Sequence, residues 1–314
     1  MNGRQKGITA GFASAFMLGL TPIFGKQALI LGFSPLSVVA IRSGIAVLLL
    51  LAMLLIFQRQ FFYIYNLGLV GCLLAGFVNG TGSILFYTGL SRIDATIGQL
   101  LYSFYPIFVA FWLFVDRQPL NRMTLVRLLI AFPGTYLLLS TGSKPIDLLG
   151  AVMMIGAAIL YALHIIINQR VLYEVPAPTV TFYTMLAMFT TVAIAYVAFD
   201  RTLPVGNISW FPLIALGVVT FLARLTLFLG VKHLGGMQTA LLGLGELLVT
   251  VVFAVWLLGE RLQPLQWVGA AMLALNLVLV GIDQPPAAKR HRSGFLGWLT
   301  PARVSPTDIS TPPS

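Results

Sequence analysis

Apolar residues dominate ten stretches of about 20 residues each, the length that crosses a bilayer as a helix. They fall near 8–30, 34–57, 66–90, 95–115, 120–141, 147–169, 177–199, 208–231, 237–259 and 264–283. Polar and helix-breaking residues separate them: Gly32 with Pro35, Arg59, Asp94, Asp116 to Asn121, Ser143 to Asp147, Glu174 to Pro178, Asp200 to Asn207, Gly235 with Gly236, and Glu260 to Pro264. Connectors this short make successive helices antiparallel neighbours and leave no room for a folded domain outside the membrane. The expected fold class is therefore an all-α integral membrane protein of ten transmembrane helices. The first stretch follows Arg4 and Lys6 as a signal peptide would, but its length and the nine stretches after it favour a retained span.

Composition agrees with a lipid-embedded chain. Only 9% of the 314 residues are charged, against roughly 25% in soluble domains, and the mean hydropathy is +0.93. These values exclude an ordinary soluble enzyme. The net charge of +10 would suggest nucleic acid in a soluble protein, but the basic residues sit in connectors and tails, where they set orientation. With the N-terminus inside, the cytoplasmic side collects Arg4, Lys6, Arg59, Arg117, Arg122, Arg127, Arg170, Lys232, Lys289, Arg290, Arg292 and Arg303. The outer side collects Lys26, Arg92, Lys144, Arg201 and Arg261. Both termini are thus expected in the cytoplasm, with no nucleic-acid partner. Cys72 is the single cysteine, so neither a disulfide framework nor a metal cluster is expected. No phosphate-binding loop or catalytic spacing is present, so neither an ATP motor, an enzyme nor a cofactor is expected.

The chain also resembles itself. Phe111-Trp112-Leu113-Phe114-Val115-Asp116-Arg117 parallels Val255-Trp256-Leu257-Leu258-Gly259-Glu260-Arg261. Phe86-Tyr87-Thr88-Gly89 parallels Leu227-Phe228-Leu229-Gly230, and Pro35 parallels Pro178, all at nearly one offset. The repeats run over 8–141 and 147–283, preceded by a cytoplasmic N-terminus (1–7). Five spans per repeat is an odd number, so the second repeat starts on the opposite face and the two are inverted, the architecture of alternating-access transporters.

The body from Lys6 to Asp283 resembles the EamA-type transporters of the drug/metabolite transporter superfamily. The resemblance rests on Gly7 and Gly19, Pro35 with Arg42, Gly89, Tyr105-Pro106, Gly230, Glu246, Leu258-Gly259-Glu260-Arg261 and Gly269. It departs where Leu247 follows Glu246 in place of proline, and where Asp116 ends the fourth span early. The resemblance implies export or exchange of small metabolites, often amino acids, across the bacterial inner membrane.

Charges inside spans are costly and are functional candidates by default. Arg224 and Glu246 each lie 11 residues from Gly235, roughly 16 Å deep at 1.5 Å per residue. They are expected at one level, as a buried ion pair, as a site for a substrate's carboxylate and amine, or with Glu246 as the proton carrier. Arg42 is read either as a snorkelling, helix-end residue or as a gate near the outer mouth. Tyr161, His164 and Asn168 share one helical face; His164 is a packed core histidine or a proton relay. Asn79, Ser83 and Tyr87 form one stripe, and Gln99, Tyr102 and Tyr105 another. Facing each other they would line a cavity suited to a compact organic solute, or serve as interhelical glue. Pro106 is expected to kink the fourth span.

From 284 to 314 the composition turns to Pro, Ser and Thr, a disordered tail whose Lys289, Arg290 and Arg292 would contact anionic lipid. Efflux of lipophilic cations is an alternative to metabolite transport. A non-transporting scaffold or receptor is an alternative of another class.

Overall fold

The computed structural model describes residues 3–57, 59–118, 126, 129–130, 133–134, 136–137, 147–204, 208–257, 263–265, 267–269, 271–272, 275 and 294–299. Regular structure among them is helical throughout. α1 (Gly3–Ile30), α2 (Pro35–Phe57) and α3 (Asn66–Arg92) precede a broken crossing made of α4 (Ala95–Tyr102) and α5 (Tyr105–Val115). The order then repeats. α6 (Leu148–Leu172), α7 (Ala177–Phe199) and α8 (Phe211–Leu234) precede a second broken crossing, α9 (Gly236–Gly243) and α10 (Gly245–Leu257).

Eight helical stretches among the described residues are long and apolar enough to cross a membrane. The expected fifth and tenth spans, 120–141 and 264–283, lie largely outside the described residues. Large apolar side chains such as Phe16, Leu48, Ile56, Phe77, Phe114, Val152, Ile194 and Trp256 stand exposed on the outer surface. A hydrocarbon solvent accepts them where water would not.

The chain's polar residues set the helix ends. Ser34 Oγ accepts from the Ser37 N–H at 3.2 Å and so caps α2 ahead of Pro35. Asp147 Oδ1 accepts from the Gly150 N–H at 2.8 Å and caps α6. That bond, and after it the Arg92 guanidinium at 3.2 Å, holds the Asp147 carboxyl below the usual carboxylate range. Lys26, near the end of α1, donates to the carbonyls of Leu90 and Ile93, both at 2.8 Å. A cation there satisfies the last acceptors of α3 and complements its dipole. Gly235, at φ +84°, makes the turn between α8 and α9, a conformation an L side chain rarely adopts.

The two halves interleave. α1 packs along α8, α9 and α10; α3 packs along α6 and α7; α2 packs on α7 and α8; α5 packs on α6 and α9. Exchanging the halves converts each pairing into another that is present: α1 with α8 becomes α6 with α3, and α2 with α8 becomes α7 with α3. Two glycine crossings follow the same rule. A Cβ at Gly230 would lie 3.5 Å from the Gly11 backbone, and one at Gly89 would lie 3.0 Å from the Gly150 carbonyl. These are the two glycines that end the matched Phe86 to Gly89 and Leu227 to Gly230 segments.

A third close crossing bears on the site. The Thr250 hydroxyl donates to the Gly19 carbonyl at 2.7 Å, and a Cβ on Gly19 would sit 2.6 Å from the Glu246 carbonyl. Gly19→Val is therefore expected to push α1 from α10 and destabilise the fold by about 1–3 kcal/mol. A thermal melt of the purified variant in detergent checks it, and an unchanged midpoint contradicts it.

One face, here the near face, gathers the start of α1, the ends of α2, α5, α6 and α8, and the starts of α3, α7 and α9. The other is the far face. Near-face packing is dense, with Val109, Leu113, Ile165, Phe228, Leu241 and Leu247 in one buried apolar cluster. Residues 294–299 join it and depart from the expected disordered tail. Leu296 and Leu299 are buried, and Phe295 stands near Trp112 with ring centroids 6.1 Å apart. Lys289, Arg290 and Arg292 lie outside the described residues.

Candidate functional site

Both broken crossings open their breaks toward the middle of the molecule. In the first, α4 stops at Ser103 and Phe104, and Pro106 sits in the first turn of α5. The result is a new helix start rather than the expected kink, because proline fits a first turn but not a helix interior. In the second, Leu244 stands between Gly243 and Gly245, and no proline is needed. Glu246 thereby falls in the first turn of α10, where the unpaired N–H groups favour a negative charge. Tyr105 occupies the matching place on α5. A Cβ at Gly243 would collide with the Tyr105 hydroxyl, so glycine there lets Tyr105 reach across.

The polar side chains converge on one cavity of about 40 Å³, room for about three waters. Its walls include Thr21 from α1, Arg42 from α2, Asn79, Ser83 and Tyr87 from α3, Gln99 and Tyr102 from α4, Tyr161 from α6, Arg224 from α8, and Glu246 from α10. The two stripes read from the sequence thus share one wall, with Tyr105 just behind it. Arg42 lies seven residues into α2 from the far face, about 10 Å deep.

Arg42 is 4% exposed and does not snorkel. It donates to Ser83 Oγ at 3.0 Å and Thr220 Oγ1 at 3.2 Å, with its Cζ 4.9 Å from the Tyr87 ring centroid. Arg224 donates to Asn79 Oδ1 at 3.3 Å and lies 5.3 Å from the Tyr161 ring centroid. Such cation–π contacts lower the cost of burying a guanidinium. Glu246 accepts from Gln99 Nε2 and contacts the Tyr105 hydroxyl, both at 3.4 Å. Arg224 and Glu246 line the same cavity, yet among the described residues they form no direct ion pair. Equal depth set their level but not the direction each faces around its helix.

His164 stands behind the wall. Its Nδ1 lies 3.1 Å from the Ala75 carbonyl, and its Nε2 lies 3.5 Å from an Arg224 nitrogen. With Nδ1–H donating to Ala75, Nε2 accepts from Arg224, and the histidine positions that guanidinium. Asn168 ties it further to Thr184.

A second polar cluster, absent from the sequence reading, closes the near face. Arg170 donates to Asp116 Oδ2 through Nε at 3.0 Å and through a terminal nitrogen at 2.6 Å, and both side chains are fully buried. Asp116 Oδ2 also accepts from Gln118, and Oδ1 accepts from the Leu296 N–H at 3.0 Å. Gln169, the neighbour of Arg170, accepts from the Gly236 N–H at 2.7 Å. The ends of α5 and α6, the start of α9 and residues 294–299 are therefore joined. Asp116 and Arg170 had been read as connector charges; the only available signal was their opposite sign at two span ends.

The sequence pattern of the EamA-like transporter family matches residues 5–140 and 148–282. The chain belongs to the EamA-like transporter family. Two curated relatives of this EamA-like chain come from Bacillus subtilis (strain 168). Uncharacterized transporter YcbK is 24% identical over 64% of the chain and 67% of its own length. Uncharacterized transporter YwfM is 25% identical over 67% of the chain and 73% of its own length. A solved crystal structure aligns with a TM-score of 0.69 over 88% of this chain and 96% of that one, at 16% identity, and supports the fold alone. The protein is thus a multi-pass membrane transporter of small molecules, within the drug/metabolite transporter superfamily.

Proposed function

We propose that this EamA-like protein is a secondary transporter of ten spans in two inverted five-helix repeats, exporting or exchanging small metabolites such as amino acids by alternating access. Its place is a bacterial plasma membrane with both termini in the cytoplasm. The observation that carries the reading is a cavity walled by both halves, with guanidiniums and a carboxylate on facing helices. Arg224 suits a carboxylate and Glu246 an amine.

The swapped helix pairings support an inverted repeat, since each half can rock against the other around this site. The near face carries Arg4, Lys6, Arg59, Arg117 and Lys232 against Lys26, Arg92 and Arg201 on the far face, which favours a cytoplasmic near face. The apolar cluster with Asp116 and Arg170 closes the cytoplasmic side in this conformation.

Proton coupling through Glu246 fits the hydrogen bonds. The Tyr105 hydroxyl has one hydrogen, and the Ala240 carbonyl at 3.0 Å is its nearer acceptor. Its oxygen is then free to accept from a protonated Glu246. Lipophilic-cation efflux has Glu246 in its favour, but two guanidiniums in the same wall oppose it. A counterflow screen in proteoliposomes with amino acids, nucleosides, sugars and cationic dyes tests the reading: amino-acid exchange supports it, and absence of flux for every class contradicts it.

A further inference from the structure

Charge balance in the cavity deepens the proposed transport reading. Two guanidiniums, Arg42 and Arg224, reach the wall, and Glu246 is the one acidic side chain among its described lining residues. Arginine stays protonated in proteins, so with Glu246 ionised the wall carries one excess positive charge inside an apolar medium. Neither arginine has an acidic side chain among the hydrogen-bond partners described above. Their acceptors are Ser83 and Thr220 for the first, and Asn79 and His164 for the second.

The wall also keeps hydrogen-bonding capacity in reserve. Nε of Arg42, Nε of Arg224, and the hydroxyls of Tyr87, Tyr161 and Thr21 are buried with no hydrogen-bond partner in the protein. All five residues line this cavity. Buried polar atoms are ordinarily paired, and unpaired ones need a specific reason. Here each arginine with a free Nε lies beside a tyrosine ring whose hydroxyl is also free.

From this arrangement we infer that the transported solute carries net negative charge, with two anionic groups for Arg42 and Arg224 and one ammonium for Glu246. An amino dicarboxylate has this pattern. The inference rests on the transport reading and adds the charge that the solute must bear. A solute of that size exceeds the room for about three waters, so its binding requires the cavity to widen.

The test is counterflow in proteoliposomes with solutes of matched size: glutamate against glutamine, aspartate against asparagine, and succinate and lysine as further probes. Glutamate or aspartate is expected to exchange at least tenfold faster than its amide. Arg42→Gln is expected to erase that difference, while Arg42→Lys, which keeps the charge, preserves it. Equal or faster exchange of the amides, or preference for lysine, overturns the inference and leaves the transporter reading standing. Succinate exchange without any amino acid upholds the anionic requirement and removes the ammonium. No flux of any of these probes overturns the inference, and the transporter reading falls with it only if nucleosides, sugars and cationic dyes also fail to exchange.

Discussion

Replacing Glu246 by glutamine is expected to cut solute exchange roughly 30- to 150-fold, the loss of one charge-assisted contact of about 2–3 kcal/mol. Insertion and folding should be unchanged. Glutamine keeps the size of the side chain and can still meet Gln99 and Tyr105, so the packing between α10 and α4 survives. What disappears is the carboxylate that holds an ammonium or a proton. The experiment compares counterflow rates at equal reconstituted protein, with the detergent melting midpoint as the control for folding. Wild-type rates in Glu246→Gln would remove the residue from the mechanism. Loss of transport together with a collapsed melting midpoint would assign it a structural role instead.

The second large effect belongs to the near face. Arg170→Met leaves Asp116 buried and charged without its partner, and such a change costs about 3–5 kcal/mol. The double change Asp116→Leu with Arg170→Met removes both charges and should recover most of that loss, because a buried pair costs much of what its attraction returns. The described geometry makes the contrast sharp, since Arg170 presents two nitrogens to one carboxylate oxygen and both residues are fully buried. Melting midpoints of the two variants decide it: a double variant no more stable than Arg170→Met would contradict the pairing as the source of the effect. The same cluster bears on the proposed alternating access, because a state open at the near face has to part Asp116, Arg170 and Gln169 from the helices they join.

Much of the architecture was legible in the sequence because lipid imposes a length on every crossing. The match of Gly89 to Gly230 marked a real equivalence, since both glycines sit at tight helix crossings of the same kind. Polar residues inside apolar runs were equally visible, and Arg42, Arg224 and Glu246 meet at one cavity because each is too costly to face lipid.

Other features left no readable trace. Counting residues gave the depth of Arg224 and Glu246 but not their direction around the helix axis, so the sequence left a direct ion pair open as one of three readings, and the two side chains do not meet in one. Pro106 announced the first helix break; Gly243 and Gly245 did not announce the second, since glycine in an apolar run equally signals close packing. Asp116 and Arg170 stand where span ends commonly carry solvated charges, and nothing in a single sequence links positions so far apart. The apolar residues Phe295, Leu296, Trp298 and Leu299 stand out in the Pro-, Ser- and Thr-rich tail and suggested contact with the membrane interface, but not the burial of Leu296 and Leu299 against the helices.

The central claim is that one cavity faces each side of the membrane in turn. It is tested most directly by a single cysteine at Thr21, on the cavity wall, in a Cys72→Ala background, labelled with a membrane-impermeant thiol reagent in vesicles of opposite orientation. The account predicts labelling from both faces, slowed on each by the solute that exchanges. Labelling confined to one face, unaffected by any exchanged solute, would contradict it.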